Sequence, residues 1–236
     1  MPTRRNIITS GGLIFAAATL PSKILSQIAS GGGQPGESSP TLSRSVLEYV
    51  IQEAKGFNQL LHSGTARTTD VISNVGAYSL LFAHMKETGY TSWLNARLLS
   101  QTEAIRDTPI SPEMIVAMSG KLSKLGFVVS PEQAERTFDV HYDERKAFIQ
   151  QIGTIGLDGI QKIMLTQMQA ASTRLQASPV ALYTNYIPGS AHLKRVNCAA
   201  DGIAAGILGL FSPPPLDAAF AAAGLMYEAM AYAGWC

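Results

Sequence analysis

Imidazole and carboxylate side chains can bind metals or move protons, and two pairs of them recur at helical spacing. His84 with Glu87 and His141 with Glu144 each stand at i, i+3, which places both members on one helix face. Two helices presenting such pairs are the raw material of a metal site in a bundle. The order is the reverse of the Glu-x-x-His of di-iron bundles, and no further bridging glutamates suggest themselves. The expectation is therefore no metal site, with His84, Glu87, His141 and Glu144 as the residues to inspect. His141 also falls on an apolar stripe with Phe138 and Phe148, with Arg145 one turn on. A buried imidazole beside a fixed charge is a candidate acid or base, although such a histidine more often has its ring nitrogens satisfied within the core.

Other chemistry fails on context. Gly153, Gly156 and Gly159 follow no strand and have the wrong spacing for a phosphate loop. Lys194 and Arg195 beside His192 form a small basic spot, and Tyr183 with Tyr186 either lines a ligand site or covers the core. The eight methionines sit at helix seams, where thioethers pack. The catalytic and cofactor-binding residues, and any cofactor, stay unknown.

The elements that must position these groups read as helices. Val46, Leu47, Val50, Ile51, Ala54, Phe57 and Leu61 make one stripe over residues 43–62, ended by Gly64. Val71, Val75, Tyr78, Phe82 and Met85 make a second helix stopped by Gly89, and Leu94, Leu98 and Ile105 a third closed by Pro109. Ser111-Pro112-Glu113 and Ser130-Pro131-Glu132 both combine a capping hydroxyl, a first-turn proline and an acid at the dipole. The first opens a helix to Gly126. The second opens one running through Ala134, Phe138, Phe148 and Ile152. A sixth carries Leu157, Ile160, Met164, Met168, Ala171 and Leu175, with the three glycines either breaking it from the fifth or admitting a close neighbour. Residues 178–196 read as a loop. The fold class is all-α, a bundle of about six helices plus a C-terminal hairpin.

That hairpin, residues 197–236, differs in composition. It has no Lys or Arg, and only Asp201, Asp217 and Glu228 as acids. Helical runs over 199–211 and 216–235 flank Pro213, Pro214 and Pro215. Both runs are too short or too charged to span a bilayer. Gly202, Gly206 and Gly209 form a small-residue face. It suits burial in the protein's own core; the alternative is a hairpin that docks on a membrane surface or a protein partner.

Over 236 residues the chain is 46% hydrophobic and 15% charged with net charge +1, which excludes an intrinsically disordered chain and a strongly basic nucleic-acid binder. The N-terminus reads Thr3-Arg4-Arg5-Asn6-Ile7-Ile8, then an uncharged stretch from Ser10 to Leu20. This resembles the twin-arginine export signal, with Ile7 where Phe is usual. The resemblance covers residues 1–30 and implies the twin-arginine machinery as partner, signal cleavage, and a periplasmic or extracellular location. Residues 31–40 are a Gly/Ser/Pro linker by composition, and 41–236 a single helical domain. Losing residues 1–30 would remove Arg4, Arg5 and Lys23 and no acid, which turns +1 into −2. Export would place Cys198 and Cys236 where thiols oxidise, and a hairpin turning at the prolines returns the last residue toward the first helix, so a disulfide between them is expected. The functional expectation is a non-catalytic binding or structural role outside the cytoplasm. The alternatives are a metal- or cofactor-dependent enzyme exported folded, and a membrane-docking protein.

Overall fold

In the computed structural model, residues 40–177 and 199–232 are described, and every regular element among them is a helix. The signal residues Arg4 and Arg5, linker residues 31–39, the loop with Tyr183, Tyr186, His192, Lys194 and Arg195, and both cysteines lie outside these residues.

The first helix, α1, runs Arg44–Ser63 and buries Leu47, Val50, Ala54, Phe57 and Leu61. Gly64 closes it in a left-handed cap whose N–H reaches Leu60 and Leu61. Helix α2, Thr68–Glu87, buries Val71, Val75, Tyr78, Phe82 and Met85 as its periodicity predicts. The third predicted helix is in fact two, α3 at Tyr90–Ser100 and α4 at Thr102–Asp107, broken at Gln101 (φ −110°, ψ 17°). Helix α5 is Pro112–Lys124 and α6 is Pro131–Phe138. Both begin as the Ser-Pro-Glu pattern requires: Ser111 Oγ accepts the Met114 N–H, and Ser130 Oγ accepts the Gln133 N–H.

The predicted fifth helix is also divided. After α6 the chain turns through Asp139 (φ −78°, ψ 76°), with the Val140 N–H donated back to Phe138 O at 2.9 Å. That is an inverse γ-turn, and α7 starts afresh at Tyr142. It continues to Ala177 but is kinked at Gly156 (φ 69°, ψ 173°). Of the three spaced glycines, Gly156 is the break.

Helices α8 (Ala199–Phe211) and α9 (Leu216–Tyr232) form the expected hairpin. It lies inside the bundle. From Leu216 to Met230 every residue of α9 is buried, Asp217 and Glu228 included at 8% exposure each. Helices α1, α5, α6 and α8 pack around α9, and α2 reaches it through side chains, Phe82 stacking on Phe220. Helix α7 crosses α2, α3, α4 and α8. A helix apolar around most of its circumference must be enclosed or lose its hydrophobic burial to water. The small residues set how tightly it is enclosed. A Cβ on Gly209 would stand 2.8 Å from the backbone nitrogen of Ala221, and one on Gly224 2.9 Å from Thr137 Cγ2, separations that packed atoms do not adopt.

Candidate functional site

The two acids of α9 stand eleven residues apart, three helical turns, and so share a face. That face looks toward α5 and α6. Asp217 pairs with Lys121 of α5, and Asp217 Oδ1 also accepts the Ala218 N–H at 2.7 Å. Glu228 pairs with Arg136 of α6 and accepts the Thr137 hydroxyl proton at 2.7 Å. Each acid is thus neutralised by one cation at the rim of the core. The Glu228 side chain keeps 6% of its surface and Arg136 24%, so the pair sits on the border between core and solvent.

Two tyrosines tie the hairpin to other helices, one from each side of the contact. Tyr78 donates its hydroxyl proton to Ala219 O at 2.8 Å, and Tyr227 donates to Met164 O. Burial pushes the Tyr78 phenol far above its ordinary value, so this hydroxyl is a permanent donor. Asn74 donates to Met226 Sδ at 3.0 Å, while its Oδ1 has no hydrogen-bond partner.

Beside the hairpin turn, α3 carries a second polar cluster. The rings of Tyr90 and Trp93 meet edge-on with centroids 4.9 Å apart, and the Arg97 guanidinium lies 5.6 Å from the Trp93 centroid, within cation–π range. Burial raises the Tyr90 phenol; Arg97 opposes the shift and Asp217 adds to it. The Arg97 and Asp217 charges therefore both act on this ring.

The residues singled out for metal binding are employed separately. His84 Nε2 accepts the Ser43 N–H at 2.9 Å and ties the start of α1 to the end of α2. Glu144 accepts the His141 N–H at 2.9 Å and caps the first turn of α7. His141 is exposed; the apolar stripe that seemed to contain it is interrupted by the γ-turn, so it is not a core histidine. Arg145, one turn on, is buried at 8% exposure and donates through Nη1 to Ile105 O (3.0 Å) and Thr108 O, capping the end of α4. Burial lowers its pKa, with Asp107 acting in the opposite sense. Glu87 is exposed. His62 Nδ1 donates to Asn58 O at 2.9 Å, and its Nε2 stands 3.1 Å from Gln133 Oε1. No group of three or more His, Cys, Asp or Glu side chains converges among the described residues. No helix among them is long and apolar enough to cross a membrane.

Asp217 and Glu228 were visible in the sequence as the acids of a segment without cations. Their partners were not, because Lys121 and Arg136 are more than ninety residues away. No protein family matches the chain, nor does any curated protein or solved structure.

Proposed function

We propose that this chain is an exported helical protein that acts outside the cytoplasm by binding or as a structural element, without catalysis. One observation supports the non-catalytic reading above the others. Four ionisable groups in and at the edge of the core are each engaged in holding one segment to another: His84 to Ser43, Arg145 to the α4 carbonyls, Asp217 to Lys121, and Glu228 to Arg136 and Thr137. An acid or base in a reaction must instead face a substrate within hydrogen-bond reach.

Export rests on Arg4 and Arg5 and the uncharged stretch behind them. Changing both to lysine retains the protein in the cytoplasm if the twin-arginine route carries it; undiminished export of that variant defeats this part of the proposal. The same location makes a Cys198–Cys236 disulfide the expected state, read by intact mass with and without reduction under alkylating conditions.

Native mass spectrometry with metal analysis, on protein from the producing organism, tests the non-catalytic role. The expected result is the polypeptide mass alone. A stoichiometric metal or organic group would favour the enzyme instead and direct attention first to His84, Glu87, His141 and Glu144. A membrane-docking role would require α8 and α9 to leave a core in which Ile207, Leu208, Phe220 and Met226 are all at 0% exposure. Flotation with liposomes reads that directly.

A further inference from the structure

We propose that the outer face of α2 is a self-association surface: a second copy of this chain docks there, the two α2 helices lying antiparallel across a twofold axis at Gly76. The inference uses described residues alone and is independent of the export reading.

Helix α2 departs from the pattern of its neighbours. Helices α1, α3 and α7 pack on it and leave one side in solvent, yet from Val71 to Met85 it has no Lys, Arg, Asp or Glu. A surface helix ordinarily turns charged residues outward, as α1 does with Arg44 and Glu48. On α2 that side carries Ile72 at 57% exposure and Leu80 at 46%, with the exposed Gly76 midway between them. The three share one helix face. A Cβ on Gly76 would meet nothing within 4 Å, so the bundle itself has no need of glycine there. An exposed helical glycine weakens its helix; what it supplies is room for another backbone to come close. Among the described residues one other glycine, Gly159, stands between exposed apolar residues at the same spacing, Ile155 and Ile163. There a Cβ would stand 2.8 Å from Ile155 Cβ, so that glycine serves its own helix.

Symmetry names the occupant. Ile72 and Leu80 stand four residues before and after Gly76, and Ser73 and Ser79 three before and after. A twofold axis through Gly76 lays Ile72 of one copy opposite Leu80 of the other, and Ser73 opposite Ser79. Apolar meets apolar and hydroxyl meets hydroxyl, as an isologous interface requires. Charge selects the antiparallel arrangement. Arg67 precedes the helix and Glu87 ends it, both exposed. They lie nine residues before Gly76 and eleven after it, so antiparallel helices bring them within about 3 Å of each other along the axis. Unlike charges then meet at both ends, whereas parallel helices would set like against like. One helix face is small beside the ~1,600 Å² of a standard interface, so the dimer is reversible.

Sedimentation equilibrium of the purified full chain, from micromolar to millimolar concentration, reads the association. The parent is expected to pass reversibly from monomer to dimer. Ile72→Lys and Leu80→Glu, both at exposed positions, should leave the circular dichroism spectrum unchanged and each raise the dissociation constant about tenfold or more. Gly76→Leu should do the same, while the dilute protein melts no lower than the parent. The decisive variant carries Ile72→Lys and Leu80→Glu together, because the twofold axis sets the amine of each copy against the carboxylate of the other. It is expected to dimerise more tightly than either single variant, and more weakly as salt is added. A parent that stays monomeric throughout, or grows past a dimer, overturns the proposal. So does a dimer that the single substitutions leave intact, or a double variant no tighter than the singles.

Discussion

The side-chain amide of Asn58 in α1 makes both hydrogen bonds that a neighbouring strand would make to Val128: Nδ2 donates to Val128 O at 3.1 Å, and Oδ1 accepts the Val128 N–H at 2.7 Å. The segment between α5 and α6 has no sheet or helix to satisfy its backbone, and Asn58, at 2% exposure, supplies the missing partner. Asn58→Ala leaves two backbone groups unpaired and should cost about 2–3 kcal/mol. Gln59 also donates to this segment, to Gly126 O at 3.1 Å, but from an exposed position, so Gln59→Ala should cost about 0.5 kcal/mol or less. Urea unfolding of the two variants checks the contrast, and equal losses would show that burial of Asn58 is not what matters.

Glu228 is the more consequential of the two acids in α9, because its side chain is the more deeply buried. Glu228→Ala takes the carboxylate away from the Arg136 guanidinium and the Thr137 hydroxyl at the edge of the core. Removing one member of a fully buried pair costs about 3–5 kcal/mol; with Arg136 still partly in water, about 3 kcal/mol is expected. Replacing both Arg136 and Glu228 by methionine should recover a good part of that loss, since neither charge then remains unpaired. The double-mutant cycle in urea reads the coupling, and simple additivity would mean that the pair contributes nothing as a pair.

Four carboxylates share one direction of shift. A hydrogen bond from Arg106 lowers Asp107, and one from Ser111 lowers Glu113. Glu132 is lowered by its own backbone N–H at the start of α6, and Asp158 by Lys162. A carboxylate with a depressed folded-state pKa binds fewer protons folded than unfolded. Its stabilisation is present above the unfolded value, about 3.9–4.3, and is lost as pH falls through the folded one. The melting temperature should therefore fall as the solution is acidified below about pH 4.3. Glu113→Gln with Glu132→Gln should make that acid limb shallower. A melting temperature unchanged or rising on acidification would contradict the assignment.

The pattern of what the sequence made legible has a physical basis. Helices α1, α2 and α5 pack one apolar face each, so their stripes and stop glycines could be read directly, as could the Ser111 cap of α5, whereas α2 is capped at Arg67 and not at Thr69. The hairpin was legible as two alanine-rich runs about three prolines. The divisions at Gln101 and Asp139 were not, because neither uses glycine or proline. The γ-turn at Asp139 is open to any residue, and the spacing from Phe138 to Phe148 happens to preserve helical phase across it. His141 was misplaced for that reason alone. The polar ties of the candidate site are long-range, Lys121 to Asp217 and Arg136 to Glu228; periodicity carries no information about which cation an acid will meet.

Gly153 and Gly156 look alike in sequence yet should respond oppositely to alanine. Gly156 holds φ 69° and ψ 173°, a combination that is nearly confined to glycine. The break it makes frees the Leu157 N–H from its helical acceptor, and Asn95 Oδ1 of α3 accepts it at 2.7 Å. On one side of the kink Arg145 caps α4, and on the other Gln161 donates to Met85 Sδ of α2 at 3.6 Å. The bend lets one helix serve both neighbours. A Cβ at Gly156 would meet only Asn95 Oδ1, at 3.5 Å, so space is not the obstacle. The cost of Gly156→Ala is backbone strain, about 1–3 kcal/mol. Asn95→Ala should remove about 1–2 kcal/mol by leaving the Leu157 N–H unpaired. At Gly153 the backbone is helical and nothing lies within 4 Å of an added Cβ, so Gly153→Ala should stabilise by about 0.5–1 kcal/mol. Urea midpoints of the three variants decide the matter. If Gly156→Ala is as stable as the parent, α7 runs straight without penalty and the kink is not what joins α2 and α4.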